Sequence, residues 1–288
     1  RGALHGLFRV RAFTQDDGHI YVTPDQISDI VLETAQLFDE YYRQFGFEYK
    51  VELSTRPEDS MGSDEDWQRA EDGLREALEK MGTDYILNEG DGAFYGPKID
   101  FHLNDCLGRT WQCGTIQLDF QLPRNFGLTY TASDGSEKIP VVIHRAIFGS
   151  MERFIGILIE HFKGAFPFWL SPYQVGIVPI RVEHNEYAKK VAGKLAANRI
   201  RFETDYSDKN MRDKIKYYKN YKTPYVLILG DKEAAEGTVS EITAGAFLSR
   251  HGLVAPSSVR AALPGLIEHD LVYRTQSGYS VYDYLLAE

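Results

Sequence analysis

Between residues 85 and 122 helical spacing disappears, and short runs rich in Ile, Phe, Tyr and Trp follow one another, separated by Gly and Asp turns. Runs of that composition bounded by turn formers predict strands. Strands joined by short turns pair antiparallel, because a parallel pair needs a long crossover. Helices flank this sheet on both sides in sequence. Thr23-Pro24-Asp25-Gln26 predicts a helix start, with Thr23 as N-cap, Pro24 at the first position and Gln26 closing a capping box. Ile27, Ile30, Val31, Phe38, Tyr41 and Phe45 then recur at helical spacing as far as Gly46, a suitable stop. Residues 49–53 predict a strand, and Ser63 caps a second helix carrying Trp67, Ala70, Leu74, Ala77, Leu78 and Met81. A strand over 139–144 runs into an apolar helix over 150–162. The fold class expected is α+β, an antiparallel sheet with flanking helices.

After Pro167-Phe168-Trp169 the pattern changes. Strands over 175–180, 201–205 and 225–230 alternate with helices over 183–198 and 211–221, which predicts a small, mostly parallel α/β domain. From about Ile242 the character shifts again. A short helix opening at Phe247-Leu248, a helix over 257–269 and a hairpin over 273–282 turning at Gln276-Ser277-Gly278 predict a winged-helix-like tail. The domains expected are therefore 1–168, 169–240 and 241–288, with both the first and the second truncated.

Bulk properties narrow the function. No apolar run approaches the roughly 18 residues that cross a bilayer, so no membrane partner is expected. Two cysteines, Cys106 and Cys113, are too few for a disulfide framework and suit a reducing cytoplasm. A net charge of −10 argues against a general nucleic-acid coat, though not against a local basic face. The chain opens without a methionine and inside a strand-like pattern, which predicts a fragment.

Residues 4–22, most of them in the opening stretch RGALHGLFRVRAFTQDDGHIY, alternate in a strand-like way around a polar loop. If it stays extended, Arg9, Arg11, Phe13, Gln15, Asp17 and His19 share one face. An apolar core cannot absorb that set without large desolvation costs. Guanidinium groups beside an aromatic ring suit a nucleotide, cations on phosphate and ring on base. A solvated outer strand face accounts for the same residues. Further on, Ile143 to His161 read IHRAIFGSMERFIGILIEH, an apolar helix that places Arg153 near a helix N-terminus, where the dipole disfavours a cation. An anionic ligand resolves that conflict; so does pairing with Glu152 or another carboxylate.

RGALHGLFRVRAFTQDDGHI resembles the later part of motif 2 of threonyl-tRNA synthetases. GAFYGPKIDFHLNDCLGRTWQCGTIQLDFQLP resembles the central sheet of that family, and VVIHRAIFGSMERFIGILIEH its motif 3. The resemblance runs from Arg1 to about Val239, over four-fifths of the chain. It implies ATP-dependent activation of threonine to threonyl-adenylate, then transfer to the 3′ end of tRNA(Thr) by a homodimeric enzyme. Carried over position by position, Arg9 would hold the α-phosphate of ATP, Phe13 would stack on adenine and Arg153 would reach the γ-phosphate. Gln15, Asp17, Tyr95 and Gln117 would line the threonine pocket, with Lys98 and Gln112 close to the reacting groups. Mg²⁺ would bridge the triphosphate oxygens. His19 and His144 would be two of three protein ligands to a zinc ion. The zinc has a rationale: an apolar pocket separates near-isosteres only about a hundredfold, whereas a metal can coordinate both the amino and the hydroxyl group of threonine.

The segment SDKNMRDKIKYYKNYK interleaves Lys and Arg with Tyr217, Tyr218 and Tyr221, as an anticodon-loop surface or a solvated helix face would. In the family this domain reads the anticodon, which implicates Lys216 and Glu233. Several family features are missing: motif 1 with much of the dimer interface, the Phe-Arg-x-Glu core of motif 2, and the cysteine that supplies the third zinc ligand. Little or no activity is therefore expected of this chain alone. Beyond Ser240 the sequence departs from the family. The spacing of Ser257, Ser258, Val259, Leu263, Gly278, Tyr279 and Asp283 resembles the C-terminal winged helix of some prokaryotic ATPases, although Pro264 would kink its recognition helix. A non-catalytic synthetase-like RNA-binding module, or a chimera with a DNA-binding winged helix, are the competing readings.

Overall fold

The computed structural model describes residues 4–237, 239–243, 272–275 and 278–281, the last twelve of these (240–243, 272–275 and 278–281) by backbone alone. Two compact units divide it, 1–161 and 162–288. In the first, β1 (Gly18–Val22) leads through a short 3₁₀ turn into α1 (Ile27–Phe45), where the Gln26 side chain accepts the Thr23 N–H at 2.9 Å, as the capping box predicts. Gly46 ends the helix at φ 76°, a left-handed position suited to glycine. Then come β2 (Tyr49–Ser54) and α2 (Asp64–Met81), capped by Ser63 accepting the Asp66 N–H at 3.2 Å. Next are β3 (Tyr85–Asn88), β4 (Lys98–Asn104), β5 (Thr110–Asp119), the short α3 (Gln121–Asn125), the hairpin β6 (Tyr130–Thr131) and β7 (Glu137–Lys138), β8 (Val141–Ala146) and α4 (Met151–His161).

β1-β8-β5-β4-β2-β3 form a six-stranded sheet, antiparallel except for the parallel β2–β3 edge pair. One face is apolar. Leu53, Ile99, Phe101, Leu103, Ile116, Leu118 and Ile143 are fully buried there, and Phe38 and Tyr42 of α1 stack on Phe101. Gly114 lets α1 lie this close, since a Cβ there would sit 2.2 Å from the Tyr42 hydroxyl. With period-two alternation, the opposite face of the same strands carries the polar residues.

The expected extended face from Arg9 to His19 does not form. The strand begins only at Gly18; upstream, His5 and Arg9 close a tight turn through Gly6 at φ 49°. Carboxylate contacts to distant backbone explain the break. Asp16 accepts the Ile147 and Phe148 N–H groups at 2.8 and 3.0 Å, and Glu152 accepts the Thr14 N–H at 3.1 Å. These bonds tie residues 14–16 to the start of α4 instead of to a strand ladder.

In the second unit β9 (Val175–Pro179), α5 (Asn185–Ala197), β10 (Phe202–Thr204), α6 (Met211–Asn220) and β11 (Tyr225–Leu229) follow the predicted β-α-β-α-β order. The chain adds α7 (Asp231–Glu236) and β12 (Ser240–Thr243), the latter antiparallel to β11. The sheet order is β10-β9-β11-β12, and β9 is parallel to both β10 and β11. β12 crosses the point where the sequence departs from the family. β13 (Val272–Thr275) and β14 (Gly278–Val281) pair as the predicted hairpin. The two predicted tail helices, with Ser257, Ser258, Val259, Leu263 and Pro264, lie outside the described residues, as does Asp283.

Candidate active site

Ladder register assembles the polar face. His19 of β1 lies opposite His144 of β8, His144 opposite Gln117 of β5, and Gln117 opposite Lys98 of β4. Residues directly opposite in antiparallel strands present their side chains on one face, so four strands contribute one transverse row. The two imidazoles stand edge to face with centroids 4.5 Å apart. Tyr95, in the turn before β4, completes the row, donating to Gln117 Oε1 at 2.5 Å with its ring 5.6 Å from His144. Burial, then Asp119 and Asp17, raise the pKa of the Tyr95 hydroxyl, so it stays a donor. Asp17 flanks the row, its carboxylate 3.9 Å from His19 Nε2 and half exposed.

A second row lies behind. Asp100 of β4, 2% exposed, stands opposite Thr115 of β5. Its carboxylate accepts from Lys98 Nζ at 2.6 Å and from Gln112 Nε2 at 2.7 Å. Burial alone would lower the Lys98 pKa, but Asp100 and Asp91 outweigh it and hold the ammonium above its ordinary value. A bulge shifts the β4–β5 register between Phe101 and His102, so that Gln112, not Cys113, pairs with His102. Burial pushes the Cys113 thiol up to about 12, which makes it an inert sheet residue and no nucleophile.

Beside these rows opens a cavity of about 260 Å³ lined by Arg9, Phe13, Gln15, Gln112, Thr115 and Arg153, with Gly149 and Ser150 at its rim. The break in the opening strand thus leaves Arg9, Phe13 and Gln15 facing a common space. Arg153 takes no carboxylate partner among the described residues. Its Nε donates to the Phe8 carbonyl at 3.1 Å, while Glu152 accepts from the Thr14 N–H and the Ser150 hydroxyl instead. The Glu152 pairing is therefore not the one adopted. The Thr115 hydroxyl is buried without a hydrogen-bond partner among the described residues. Two guanidinium groups without a carboxylate partner among the described residues, an aromatic ring and the start of α4 suit a polyanion carrying a flat base. A larger hollow of about 660 Å³ between the start of α1 and the length of α2 is lined by Asp25, Asp29, Glu65, Asp72 and Glu76 against Arg69 and Lys80. Its charge repels a triphosphate.

Sequence reasoning passed over Asp100 and Asp119. Asp119 is fully buried, receives the Gln121 and Leu122 N–H groups, and lies 3.0 Å from His144 Nε2. That contact leaves Nδ1 as the free nitrogen of His144. Among the described residues no group of three His, Cys, Asp or Glu could hold a metal ion. Two imidazoles alone fall short of the three protein ligands that an open zinc site uses.

In the second unit Lys216 stands exposed on α6, and Glu233 on α7 accepts the Gly230 N–H at 2.9 Å. Tyr217 and Tyr221 stack at 4.7 Å and are exposed, whereas Tyr218 is 1% exposed and belongs to the core. Only two of the three tyrosines are free to meet a base.

Residues 1–162 match the family described as tRNA synthetase class II core domain (G, H, P, S and T). Residues 174–243 match an anticodon binding domain, and residues 233–288 a probable winged helix domain. The threonine–tRNA ligase of Clostridium tetani is 60% identical over 239 residues, covering 83% of this chain and 37% of its own length. That of Carboxydothermus hydrogenoformans is 59% identical over the same span, 38% of its length. The chain thus spans less than two-fifths of these relatives. The solved RNA binding domain of threonyl-tRNA synthetase from Cryptosporidium parvum superposes with a TM-score of 0.80 at 44% identity, over 85% of this chain and 62% of that one.

Proposed function

The chain belongs to the class II tRNA synthetase core family, and from that premise we propose that it carries the adenylate-forming site of a threonine–tRNA ligase. The observation that supports this most is the shared cavity of Arg9, Phe13 and Arg153, which come from segments some 140 residues apart. In this reading MgATP is the substrate. Phe13 stacks on adenine, Arg9 grips the α-phosphate and Arg153 the γ-phosphate. The threonine carboxylate attacks the α-phosphorus in line, a carboxylate–phosphorus bond forms, and the bond to the pyrophosphate oxygen breaks. A hydroxyl of the terminal adenosine of tRNA(Thr) then attacks the carbonyl carbon and releases AMP. No covalent enzyme intermediate is involved; charge stabilisation and positioning carry the rate.

Lys98, fixed by Asp100, supplies a cation beside the reacting groups, with Gln112 on the same carboxylate. Gln15, Asp17, Tyr95 and Gln117 orient the amino acid. His19 and His144 are the imidazoles that would hold a zinc ion able to tell threonine from valine. Completing that site takes a donor beyond the described residues, so no step is assigned to the metal. Residues 1–168 are read as catalytic, 169–240 as the anticodon-reading unit through Lys216 and Glu233, and 241–288 as a winged-helix tail. Homodimeric assembly and a cytoplasmic setting belong to the same reading; no helix among the described residues is long and apolar enough to cross a membrane.

Isothermal titration of the chain with a non-hydrolysable threonyl-adenylate analogue tests the proposal. Binding is expected, weakened at least about tenfold in Arg9→Ala, given the strength of guanidinium–phosphate bonds, and unchanged in Lys216→Ala. Equal affinity in wild type and Arg9→Ala, or no binding at all, would rule it out.

A further inference from the structure

Arg153 reaches the cavity across an aromatic platform. Its guanidinium carbon lies 5.5 Å from the centroid of the Trp111 ring, and its Nε is held by the Phe8 carbonyl at 3.1 Å. Trp111 in turn packs against the Phe8 ring at 5.0 Å, and the guanidinium of Arg109 lies over both rings, 5.0 Å from Phe8 and 5.3 Å from Trp111. Two cations on one small aromatic cluster is an expensive arrangement unless something fixes it. Asp105, 6% exposed, does so: its carboxylate accepts from Trp111 Nε1 at 2.8 Å and from Arg109 Nε at 2.5 Å, and also from the Leu107 and Arg109 N–H groups. Glu160 of α4 takes the other end of Arg109 at 2.5 Å. Burial would raise the Asp105 pKa, yet the Trp111 and Arg109 donors outweigh it and keep the carboxylate charged.

The consequence lies in what Arg153 is denied. Arg109 is neutralised twice over by carboxylates, whereas Arg153 shares the same aromatic cluster and takes no carboxylate at all among the described residues. A ring face can orient a guanidinium without neutralising it, because the quadrupole attraction leaves the N–H groups at the far edge unused. We infer that Trp111, locked by Asp105, is a positioning residue that holds Arg153 extended and uncompensated for the terminal phosphates of ATP. It does not touch the ligand itself. This rests on the adenylate-forming reading above.

The chemistry of the two ligands separates that inference from a merely structural role. ATP carries the phosphates that Arg153 would meet, and a threonyl-adenylate analogue lacks them. Titration calorimetry on the whole chain should show Trp111→Leu weakening MgATP about threefold to thirtyfold, the range of a cation–π contact, while the analogue binds within about twofold of wild type. Trp111→Phe keeps a ring face and should recover most of the ATP affinity; Asp105→Asn, which loosens the lock, should fall between. Unchanged ATP affinity in Trp111→Leu would overturn the positioning role, and so would equal weakening of both ligands. Wild-type chain that binds neither ligand would instead remove the functional reading on which the inference stands.

Discussion

The Lys98 ammonium lies 2.6 Å from the Asp100 carboxylate, two residues along the same strand, and Asp100 is only 2% exposed. Such a pair is costly to break from one side. Removing one partner of a buried ion pair costs roughly 3–5 kcal/mol, because the other charge is left uncompensated. Gln112 still serves Asp100, so Lys98→Met should sit near the lower end, about 3 kcal/mol. The double change Lys98→Met with Asp100→Asn removes both charges and should recover most of that loss. Urea unfolding of Lys98→Met, Asp100→Asn and the double variant checks it; additive losses in the double variant would mean that the pair is not coupled.

Gly149 stands where the cavity meets α4, at φ 63°, and a Cβ there would lie 2.6 Å from the Cys113 carbonyl oxygen. An alanine meets both a left-handed backbone and a backbone atom that cannot swing aside. The two effects together should cost about 3 kcal/mol. They should also tilt Ser150 and Arg153 away from the cavity, so MgATP affinity should drop more than analogue affinity. A midpoint in urea unchanged from wild type would contradict the packing described.

Local patterning carried most of the elements. Ser63, the Thr23–Gln26 box and Gly46 announce their helix ends because capping chemistry is confined to a few neighbouring residues. The row of His19, His144, Gln117 and Lys98 was another matter, since register between distant strands has no local signature. His144, Gln117 and Lys98 enter only through a family resemblance, whereas alternation alone singles out His19. Asp100 and Asp119 escaped notice because an aspartate in a strand looks like a turn or a solvated face until its partners are known. The opening strand failed for a related reason: alternation in RVRAFTQDDGH is real, but long-range bonds from Asp16 and Glu152 override it. Lys-x-Asp-x-His in β4 was the one legible hint, three polar residues at period two between buried Ile99, Phe101 and Leu103.

Cys106 is exposed and Cys113 buried, so a thiol reagent should titrate one thiol in the native chain and two after unfolding. The same burial has a consequence at high pH. The Cys113 thiol ionises at about 12 when folded and from about 9 when unfolded. Between those values the unfolded state holds fewer protons than the native state, so stability falls as pH rises. Tyr42, Tyr49 and Tyr218 are displaced upward too, chiefly by burial, and add to the slope. Cys113→Ala should flatten the alkaline limb by at most about 1.4 kcal/mol per pH unit. A limb unchanged by that substitution would show that the thiol titrates normally in the folded chain.

The lysines between 207 and 222 divide by what they already hold. Lys214 is 2% exposed, and its ammonium donates to the Pro179 and Asp205 carbonyls at 3.0 and 3.1 Å; Lys222 reaches the Lys163 carbonyl. Lys216 is exposed, beside the Tyr217–Tyr221 stack, and is free to neutralise a phosphate. Lys216→Ala should therefore weaken tRNA(Thr) and lower the dependence of log K on log salt by about 0.7–0.9, one counterion's share. Glu233 is anionic and cannot act that way, so Glu233→Ala should weaken binding without changing the salt slope. Lys214→Met should lower stability first, because the loss falls on two strand-end carbonyls. Filter binding across a potassium chloride series measures the slopes. Identical slopes for wild type and Lys216→Ala would remove α6 from the tRNA contact, and the anticodon reading with it.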